Sequence, residues 1–269
     1  MPVDSDMITK PEGVSCLMVT LPVPGRLEFA KRSITDFCRQ TYPNKMLIVV
    51  MNKGVVAIQQ ALQEYVSGLD RRDINVIVAP ANHNLGELRN VSLEAANDDI
   101  ICQWDDDDMH HPERLEQQIT ALITSDLEAV YLQDVMQYLP AEQLLYWTNW
   151  RATPLAGHPG TLMARKSAGI CYPTQGPNAR MGEDSAVAQN LIARGRVGYL
   201  ANAAHLYVYV SHGSNTWNAA HHRMLRDELA ISRALVLRRE ALIREGLRAH
   251  NFPADRVGVS GNNGLAFTL

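Results

Sequence analysis

Four consecutive aspartates, Asp105 to Asp108, directly follow the apolar run "DIICQW". Adjacent like charges repel each other, so a cation or a function is expected to compensate them. Hard divalent cations such as Mg²⁺ and Mn²⁺ take carboxylate oxygens and leave coordination positions open for substrate phosphates. Asp105 and Asp107 have the D-x-D spacing that can serve a metal and a nucleotide together. The alternative is that the acids favour the start of a helix whose first residue is Pro112.

The elements that must position these aspartates are predicted from hydrophobic periodicity. Buried strands are expected at 14–20, 46–51, 74–79 and 99–104, with helices at 27–40, 55–67 and 86–96 between them. This alternation is typical of an α/β fold with a mostly parallel sheet covered on both faces. Ligands of such sheets bind beyond the carboxyl ends of the strands. The aspartates are therefore expected in a crevice where four strand ends meet.

The second half of the chain has a less regular pattern. Strands are predicted at 128–139, 142–150 and 161–166, and a helix at 183–194 follows a loop at 172–182. Short strands around 198–200 and 205–213 precede a helical region from about 218 to 250. The aromatic residues of "YWTNW" (146–150) are interpreted as core, with sugar stacking as the alternative. We expect one domain, 14–217, followed by a C-terminal helical extension, 218–269.

Composition excludes several classes of protein. The chain has 269 residues, 46% of them hydrophobic, and a net charge of −4, so bulk nucleic-acid binding is not expected. Its four cysteines, Cys16, Cys38, Cys102 and Cys171, show no zinc spacing, and two of them lie in apolar runs. The N-terminal "MPVDSDMITKPEG" lacks the features of a signal peptide, and no run of 18 apolar residues exists. A cytoplasmic protein without a membrane span is expected.

The segments "VSCLMVTLPVPGRLEFAKRSITDFCRQTYPNKMLIVVMNKG" and "NLGELRNVSLEAANDDIICQWDDDDMHHPERLEQQI" resemble family 2 glycosyltransferases of the GT-A fold. Further on, "GTLMARK" and "MGEDSAVAQNLIARG" look like the family's acceptor-side strand and its E-D motif. The resemblance runs from about Val14 to Trp217, and the motifs come in the family's order. That ordered combination is far more specific than any single motif.

The resemblance implies transfer of a sugar, with inversion, from a UDP-, GDP- or dTDP-linked donor to a saccharide or lipid-linked acceptor. The expected setting is bacterial-type polysaccharide, glycolipid or glycoconjugate synthesis. Residues 14–108 would form the nucleotide-binding half and 109–217 the acceptor half. A Mn²⁺ or Mg²⁺ ion held by Asp107 and oriented by Asp105 would neutralise the leaving diphosphate.

Other residue roles are also implied by the resemblance. Asp184 would be the general base for the acceptor hydroxyl, with Glu183 beside it; an acidic first turn of a helix is the alternative. His212 matches a third metal ligand in some relatives, although a loop histidine is more often structural. Asp106 and Asp108 are assigned supporting roles, unless one of them faces solvent.

The nucleotide-sugar site is expected at the strand ends and the helix after the third strand. Its candidates are Thr20, Leu21, Pro22, Arg26, Asn52, Arg89, Asn90, Asp105 and Asp106. Asn52 departs from the aspartate that relatives use to pair with the base, so uracil specificity is in doubt; an amide can still read a base edge. Arg89 suits bidentate phosphate or base contact. The alternative for Arg89 and Asn90 is an exposed helix pair.

Residues 221–250 carry seven arginines against four acids. A helix packed on the domain with a solvated basic face is expected, and peripheral contact with a membrane or a lipid-diphosphate acceptor is the alternative. Two other functional classes stay open for the whole chain. One is a sugar nucleotidyltransferase, although "LPVPGR" is a poor phosphate loop. The other is a non-catalytic nucleotide-sugar-binding module.

Overall fold

The structure, a computed structural model, describes residues 12–269. Residues 1–11 lie outside the described residues. They include most of the N-terminal segment "MPVDSDMITKPEG", in which the sequence shows no signal-peptide features. The first half alternates strands and helices as the sequence predicts. The elements are β1 (Val14–Thr20), α1 (Arg26–Cys38), β2 (Lys45–Asn52), α2 (Val56–Gly68), β3 (Ile74–Ala79), α3 (Leu85–Ala95) and β4 (Ile100–Gln103).

The elements of the second half are shorter and less regular. They are β5 (Met109–His110), α4 (Arg114–Thr124), β6 (Ala129–Leu132), β7 (Asp134–Leu139), β8 (Leu144–Asn149), β9 (Met163–Arg165), α5 (Glu183–Arg194), β10 (Val197–Leu200) and β11 (Tyr207–Val210). Helix α5 has the predicted bounds. Helix α4 begins at Arg114, not at Pro112, because Pro112 and Glu113 form a turn after β5 in which Arg114 N donates to His111 O.

The main sheet has seven strands in the order β10-β6-β9-β4-β1-β2-β3. Strands β4, β1, β2 and β3 are parallel to one another, and β9 runs antiparallel between β4 and β6. Side chains of β1 alternate between the two faces, and both faces are buried. Cys16 and Met18 pack with α1, α2 and α4, whereas Leu17 and Val19 pack with α3 and α5. Burial on both faces explains the uninterrupted apolar runs, and the predicted α/β fold is confirmed.

A second sheet has six strands in the order β13-β12-β8-β7-β11-β5. The segment 128–139, predicted as one strand, forms two: β6 joins the main sheet and β7 joins the second. The chain changes sheet at Gln133, whose N–H donates to Leu200 O and whose carbonyl accepts from Trp150 N. Periodicity does not reveal such a change, because both halves of the segment are buried.

The C-terminal region contains three short helices and two strands. These are α6 (Ala219–Leu229), α7 (Arg233–Arg238), α8 (Glu240–Leu247), β12 (Gly258–Gly261) and β13 (Gly264–Thr268). The helices fall within the predicted helical region, but the strands were not predicted. Strand β12 pairs in parallel with β8, so this region completes the second sheet.

The arginines of 221–250 mostly contact the protein itself. Arg226, Arg233, Arg239, Arg244 and Arg248 bind acidic side chains, an asparagine or a backbone carbonyl. These contacts favour packing on the domain, while contact with a membrane stays a prediction. Among the described helices, none combines the length and apolar character needed to cross a membrane.

The cysteines behave as the sequence indicates. All four are free thiols. Cys16 and Cys102 are fully buried on the adjacent strands β1 and β4, where their Cα atoms are partners in the strand register. Both therefore act as small apolar core residues.

Candidate active site

A cavity of about 280 Å³ lies at the carboxyl ends of β1 and β4. The ends of these strands, the start of α1, helix α3 and the start of α5 all contribute to its wall. The predicted residues that line it are Thr20, Leu21, Arg26, Arg89, Asp105, Asp106, Asp107, Glu183 and Asp184. The parallel strands thus bring together side chains that are far apart along the chain, as their topology requires.

Arg26 compensates the charge of the aspartate cluster. Its guanidinium donates to Asp106 Oδ1 at 2.5 Å and to Asp107 Oδ2 at 2.9 Å. The residue opens α1, just after Gly25, whose φ of 89° lies in the left-handed region that glycine tolerates. Burial raises the pKa of Asp106 to about 7, against the lowering effect of Arg26. Arg26 is therefore the counter-ion of two of the four adjacent acids, Asp106 and Asp107.

Asp107 also contacts the loop after β11. His212 Nε2 lies 2.9 Å from Asp107 Oδ2, and Asn215 Nδ2 donates to the same oxygen at 3.4 Å. Burial acts to raise the pKa of Asp107, but the hydrogen bond from His212 and the charge of Arg26 outweigh it and lower the pKa to about 2. Asp107 is thus ionised at neutral pH, and its carboxylate lies beside the imidazole of His212.

The carboxylate of Asp107 suits Mn²⁺ or Mg²⁺, and the imidazole of His212 favours the transition metal Mn²⁺ over Mg²⁺. Asp105, the other predicted ligand, faces different partners. Its carboxylate accepts from Arg89 Nη2 at 2.7 Å, Gln103 Nε2 at 3.2 Å and Tyr207 OH at 3.3 Å. The structure therefore pairs two of the three predicted ligands directly and places Asp105 on the same cavity wall.

Arg89 joins the aspartates to the E-D motif. Besides Asp105, it contacts Glu183, with 3.2 Å between Nε and Oε1. Burial acts to lower the pKa of Arg89, but Asp105 and Glu183 outweigh it and raise the pKa well above its usual value. Its Nη1 is buried and has no hydrogen-bond partner among residues 12–269. Arg89 is 7% exposed, so it is not the exposed helix residue of the alternative interpretation.

Asp106 and Asp108 are each only 2% exposed, so neither faces solvent. Asp108 accepts a hydrogen bond from Tyr207 OH and another from Val210 N at 2.8 Å. Burial, together with the nearby charges of Asp107 and Asp105, raises the pKa of Asp108 well above its usual value. Asp108 therefore ties the turn after β4 to β11, away from the role of a metal ligand.

Asp184 has an environment different from that of Glu183. Its Oδ1 accepts from Ser185 N at 2.7 Å, and none of its contacts within residues 12–269 is an ion pair with a basic side chain. Burial and the adjacent charge of Glu183 raise its pKa to about 7, against the lowering effect of Arg89. A carboxylate with a pKa near neutrality is suited to take a proton. The motif also lies in the first turn of α5, so the helix-start interpretation is compatible with this position.

Four predicted residues do not line the cavity. Pro22 packs near Gly54, and His212 contacts Asp107 without lining the cavity itself. Asn52 donates to Ala81 O at 3.2 Å and His83 O at 2.8 Å, while its buried Oδ1 lacks a partner within the described residues. Asn90 exchanges two hydrogen bonds with the backbone of Tyr172, each of 2.9 Å. Asn90 therefore holds the loop that leads to the E-D motif.

Sequence reasoning missed several residues around the cavity. Tyr207 contacts Asp105 and Asp108, and Arg180, Tyr209, Asn215 and Trp217 line the wall. Asn215 and Trp217 belong to "SHGSNTWN", whose density of polar residues after a strand was a usable indication. Tyr207 and Tyr209 lie within an apolar strand, where the sequence does not distinguish a core residue from one that contacts the site.

The fold is similar to those of several solved structures. S. aureus TarS 1–349 superposes with a TM-score of 0.58 at 13% identity, covering 87% of this chain and 73% of TarS. Its complex with UDP-GlcNAc gives a TM-score of 0.56 at 15% identity, over 89% of this chain and 68% of that one. The mannosyltransferase PcManGT from Pyrobaculum calidifontis, in complex with GDP-Man and Mn²⁺, gives 0.58 at 16% identity, over 88% of this chain and 65% of PcManGT.

At these identities the structural similarity establishes the fold alone. None of the curated protein sequences matches the chain significantly. The sequence profile of the family described as glycosyl transferase family 2 matches residues 19–165, which is more than half of the chain. The matched segment includes the aspartate cluster, Arg26 and Arg89. The chain therefore belongs to glycosyl transferase family 2.

Proposed function

We propose that the protein is an inverting, divalent-metal-dependent glycosyltransferase that moves a hexose-type sugar from a nucleoside-diphosphate sugar to an acceptor hydroxyl. One observation carries the proposal: the aspartate cluster and Asp184 line the same cavity. The cluster supplies groups for a metal and a diphosphate. Asp184 supplies a carboxylate that burial and its neighbouring charge shift toward a neutral pKa.

The donor's diphosphate would lie near Asp107 and Arg26. Asp107 and His212 would hold Mn²⁺ or Mg²⁺. Asp105, held by its hydrogen bond with Arg89, would orient the nucleotide and the metal. When bound, the metal supplies charge neutralisation for the departing diphosphate. The neighbour PcManGT, solved with GDP-Man and Mn²⁺, supports a nucleotide-sugar donor and a divalent metal. Arg26 and the free Nη1 of Arg89 provide two cationic groups for phosphate oxygens.

The nucleoside would occupy the end of the cavity formed by β1. Thr20 and Leu21 line this end, and Pro22 shapes the turn that follows. The buried Oδ1 of Asn52 is an acceptor without a protein partner among the described residues, and a base N–H is a suitable donor for it. Because an amide can pair with more than one base, the donor assay includes UDP-, GDP- and dTDP-sugars.

The acceptor hydroxyl would be deprotonated by Asp184. In a single displacement, the hydroxyl oxygen bonds to the anomeric carbon as the bond to the diphosphate breaks, and the hydroxyl proton passes to Asp184. Attack opposite the leaving group inverts the anomeric configuration. Glu183 is held by Arg89 and would position this part of the site. Trp217, 36% exposed on the cavity wall, offers a ring face for a sugar.

The acceptor is proposed to be a saccharide or a lipid-linked saccharide of bacterial-type glycoconjugate synthesis. The proposal includes contact of the 221–250 region with a membrane surface. The contact would be made by those arginines of the region whose guanidinium groups keep free hydrogen-bond donors. Vesicles of anionic and of neutral lipids, mixed with the protein and sedimented, test it. Equal recovery with both kinds of vesicle would contradict the contact.

The function is tested by incubating the protein with UDP-, GDP- and dTDP-sugars, with Mn²⁺ or with a chelator. Release of nucleoside diphosphate that requires the metal, together with a product whose NMR coupling constant shows the inverted anomer, is expected. Retention would remove Asp184 from the role of base. Formation of a nucleotide sugar from a sugar phosphate and a nucleoside triphosphate would indicate a nucleotidyltransferase. Donor binding without turnover on any acceptor would indicate a binding module.

A further inference from the structure

Three side chains outside the active site form a separate cluster of metal-ligand type. His111 and Glu113 belong to the connection between β5 and α4, and His205 lies just before β11. One ligand atom from each lies within 4.8 Å of the others. Among residues 12–269, these are the three histidine, cysteine or acidic side chains whose ligand atoms come that close together. The ligand atoms of Asp105, Asp107 and His212 do not all lie within this distance of one another.

We propose that His111, Glu113 and His205 form a second metal site, which takes a zinc-class transition metal ion. Two imidazoles and a carboxylate match known ligand sets of Zn²⁺, in which a solvent molecule or another ligand fills the remaining position. Nitrogen ligands distinguish such a site from one for Mg²⁺ or Ca²⁺. Ligands at about 2.0–2.2 Å from zinc lie a little over 3 Å apart in a tetrahedron, so small side-chain movements would close the cluster around an ion.

The two histidine-bearing segments are held firmly. His111 N donates to Leu206 O at 3.1 Å, and His111 O accepts from Gln40 Nε2 at 2.7 Å. His205 O accepts from His250 Nε2 at 2.7 Å. Gly246 of α8 packs so closely on His205 that an added Cβ would lie 2.6 Å from the histidine Cβ. The backbone positions of both imidazoles are therefore set without a metal.

A hydrogen bond orients the imidazole of His111. Glu113 N donates to His111 Nδ1 at 3.2 Å, so the neutral ring carries its proton on Nε2. A metal would bind Nδ1 in place of this hydrogen bond, or Nε2 after the ring proton moves to Nδ1. Neutral imidazole is the form that binds metals.

The carboxylate of Glu113 makes no ion pair with a basic side chain in the described part of the chain. One of its oxygens accepts from Gln117 Nε2 at 2.8 Å, which leaves the other free. Glu113 and His205 also line a cavity of about 590 Å³, from which an ion and its remaining ligand can enter. A bound ion would cross-link the start of α4 to the segment before β11, the strand that carries Tyr207.

The test is calorimetric titration with ZnCl₂ in an Asp107→Asn background, which weakens the site of the proposed donor metal. One Zn²⁺ per chain is expected to bind. Adding His205→Ala or Glu113→Gln should weaken Zn²⁺ binding strongly. Loss of a group that only hydrogen-bonds to a metal ligand weakens binding by roughly 10- to 100-fold, and loss of a ligand itself should cost at least as much. Glu116→Gln is the matched control: Glu116 lines the same cavity on α4, but its carboxylate accepts from Thr41 and lies outside the cluster. It should bind Zn²⁺ like the background protein.

Thermal unfolding checks that the variants are folded and gives a second readout. An ion that binds only the folded state raises Tm. Zn²⁺ should raise Tm in the Asp107→Asn protein and in its Glu116→Gln derivative, but not when Glu113→Gln is added. Glu113 is exposed, so this variant is expected to fold normally without metal. Absence of Zn²⁺ binding in the background protein, or binding that His205→Ala and Glu113→Gln leave unchanged, would overturn the proposal.

Discussion

At the scale of single residues, the cavity contains carboxylates whose environments differ sharply. Hydrogen bonding to His212 and the charge of Arg26 overcome burial and lower the pKa of Asp107 to about 2. Burial and Glu183 raise the pKa of Asp184 to about 7. Titratable groups in one site whose pKa values are driven apart usually divide the chemical roles. Here the ionised acid suits a cation, and the acid near neutrality suits proton transfer.

Asp184→Asn tests the proton acceptor. The amide keeps the shape and the acceptor for Ser185 N but has no basic oxygen, so turnover should fall by about 10² to 10⁴. Affinity for donor plus Mn²⁺, measured by calorimetry, should stay near the wild-type value. Asp255→Asn, an exposed aspartate that does not line the cavity, is the control. Near-wild-type turnover would return Glu183 and Asp184 to the role of a helix start.

The pH dependence follows from the same group. A general base must be ionised, so kcat/KM should rise with pH, roughly tenfold per unit at low pH, and level off above about 7. This rise of kcat/KM with pH should be absent from the residual activity of Asp184→Asn. If the same rise persists in the variant, it reports the titration of another group.

Arg26→Met tests whether a guanidinium and a cation compete for Asp107. Loss of the 2.9 Å ion pair frees the carboxylate, so Mn²⁺ alone should bind more tightly, by roughly tenfold for one charged hydrogen bond. Donor affinity should fall, because a cationic partner of the diphosphate is lost. Arg180→Met is the control, since Arg180 lines the cavity without contacting Asp107. Calorimetry with MnCl₂ alone and then with donor measures both effects. Equal Mn²⁺ affinity in Arg26→Met and wild type would show that Arg26 does not compete.

At the scale of elements, α3 positions the loop that leads to the E-D motif. Its start has a capping box between Asn84 and Glu87, and Asn84 Nδ2 also donates to Thr174 O at 3.0 Å. Asn90 binds the backbone of Tyr172. Arg89, between these two asparagines, then reaches Glu183. The helix therefore carries both an arginine that lines the cavity and contacts to the loop that leads to Glu183 and Asp184.

Gly86→Ala tests this close packing. A Cβ at residue 86 would lie 1.9 Å from Pro173 O, a backbone atom that cannot move without the loop. We expect a loss of about 1–3 kcal/mol in the free energy of unfolding, with a larger loss of activity as Glu183 and Asp184 shift. The matched control is Gly68→Ala at the end of α2, where an added Cβ meets nothing within 4 Å. It should be neutral or stabilising by under about 1 kcal/mol. Urea unfolding and kcat compare the two, and equal effects would contradict the packing argument.

At the scale of the whole molecule, the two sheets are joined through the segments that form the site. Strand β5 follows the aspartates directly, and β11 pairs with it in the second sheet. Val259 of β12 and Val257, just before that strand, are buried in the core of that sheet. The C-terminal region therefore supports the strand that holds Tyr207 and leads to His212.

Val259→Ala tests whether the molecule unfolds as one unit. Val259 is fully buried, so truncation should reduce the free energy of unfolding by roughly 1.5–3 kcal/mol. Leu265→Ala, at a residue of β13 that is 53% exposed, should change it far less. Denaturation followed by tryptophan fluorescence and by circular dichroism should give a single coincident transition, shifted in Val259→Ala. Two separate transitions would show that 218–269 unfolds independently of 14–217.

The sequence by itself determined the elements of the first half and the location of the acids. The strands β1 and β3 and, in the second half, the helix α5 have local patterns strong enough to predict their bounds. Short apolar runs mark the strands, and apolar residues at helical spacing mark the helix. Parallel topology then requires that the residues after the strands meet. The ordered motifs include the acids that line the cavity.

Only the tertiary structure decided which side chains became partners. Arg26 and Asp106 lie 80 residues apart, and no periodicity specifies that their charges pair. The change of sheet at Gln133 and the pairing of β12 with β8 also depend on distant segments. The cluster of His111, Glu113 and His205 exists only because β11 pairs with β5. Local sequence sets which face of an element is buried, but long-range packing selects the neighbour that the face meets.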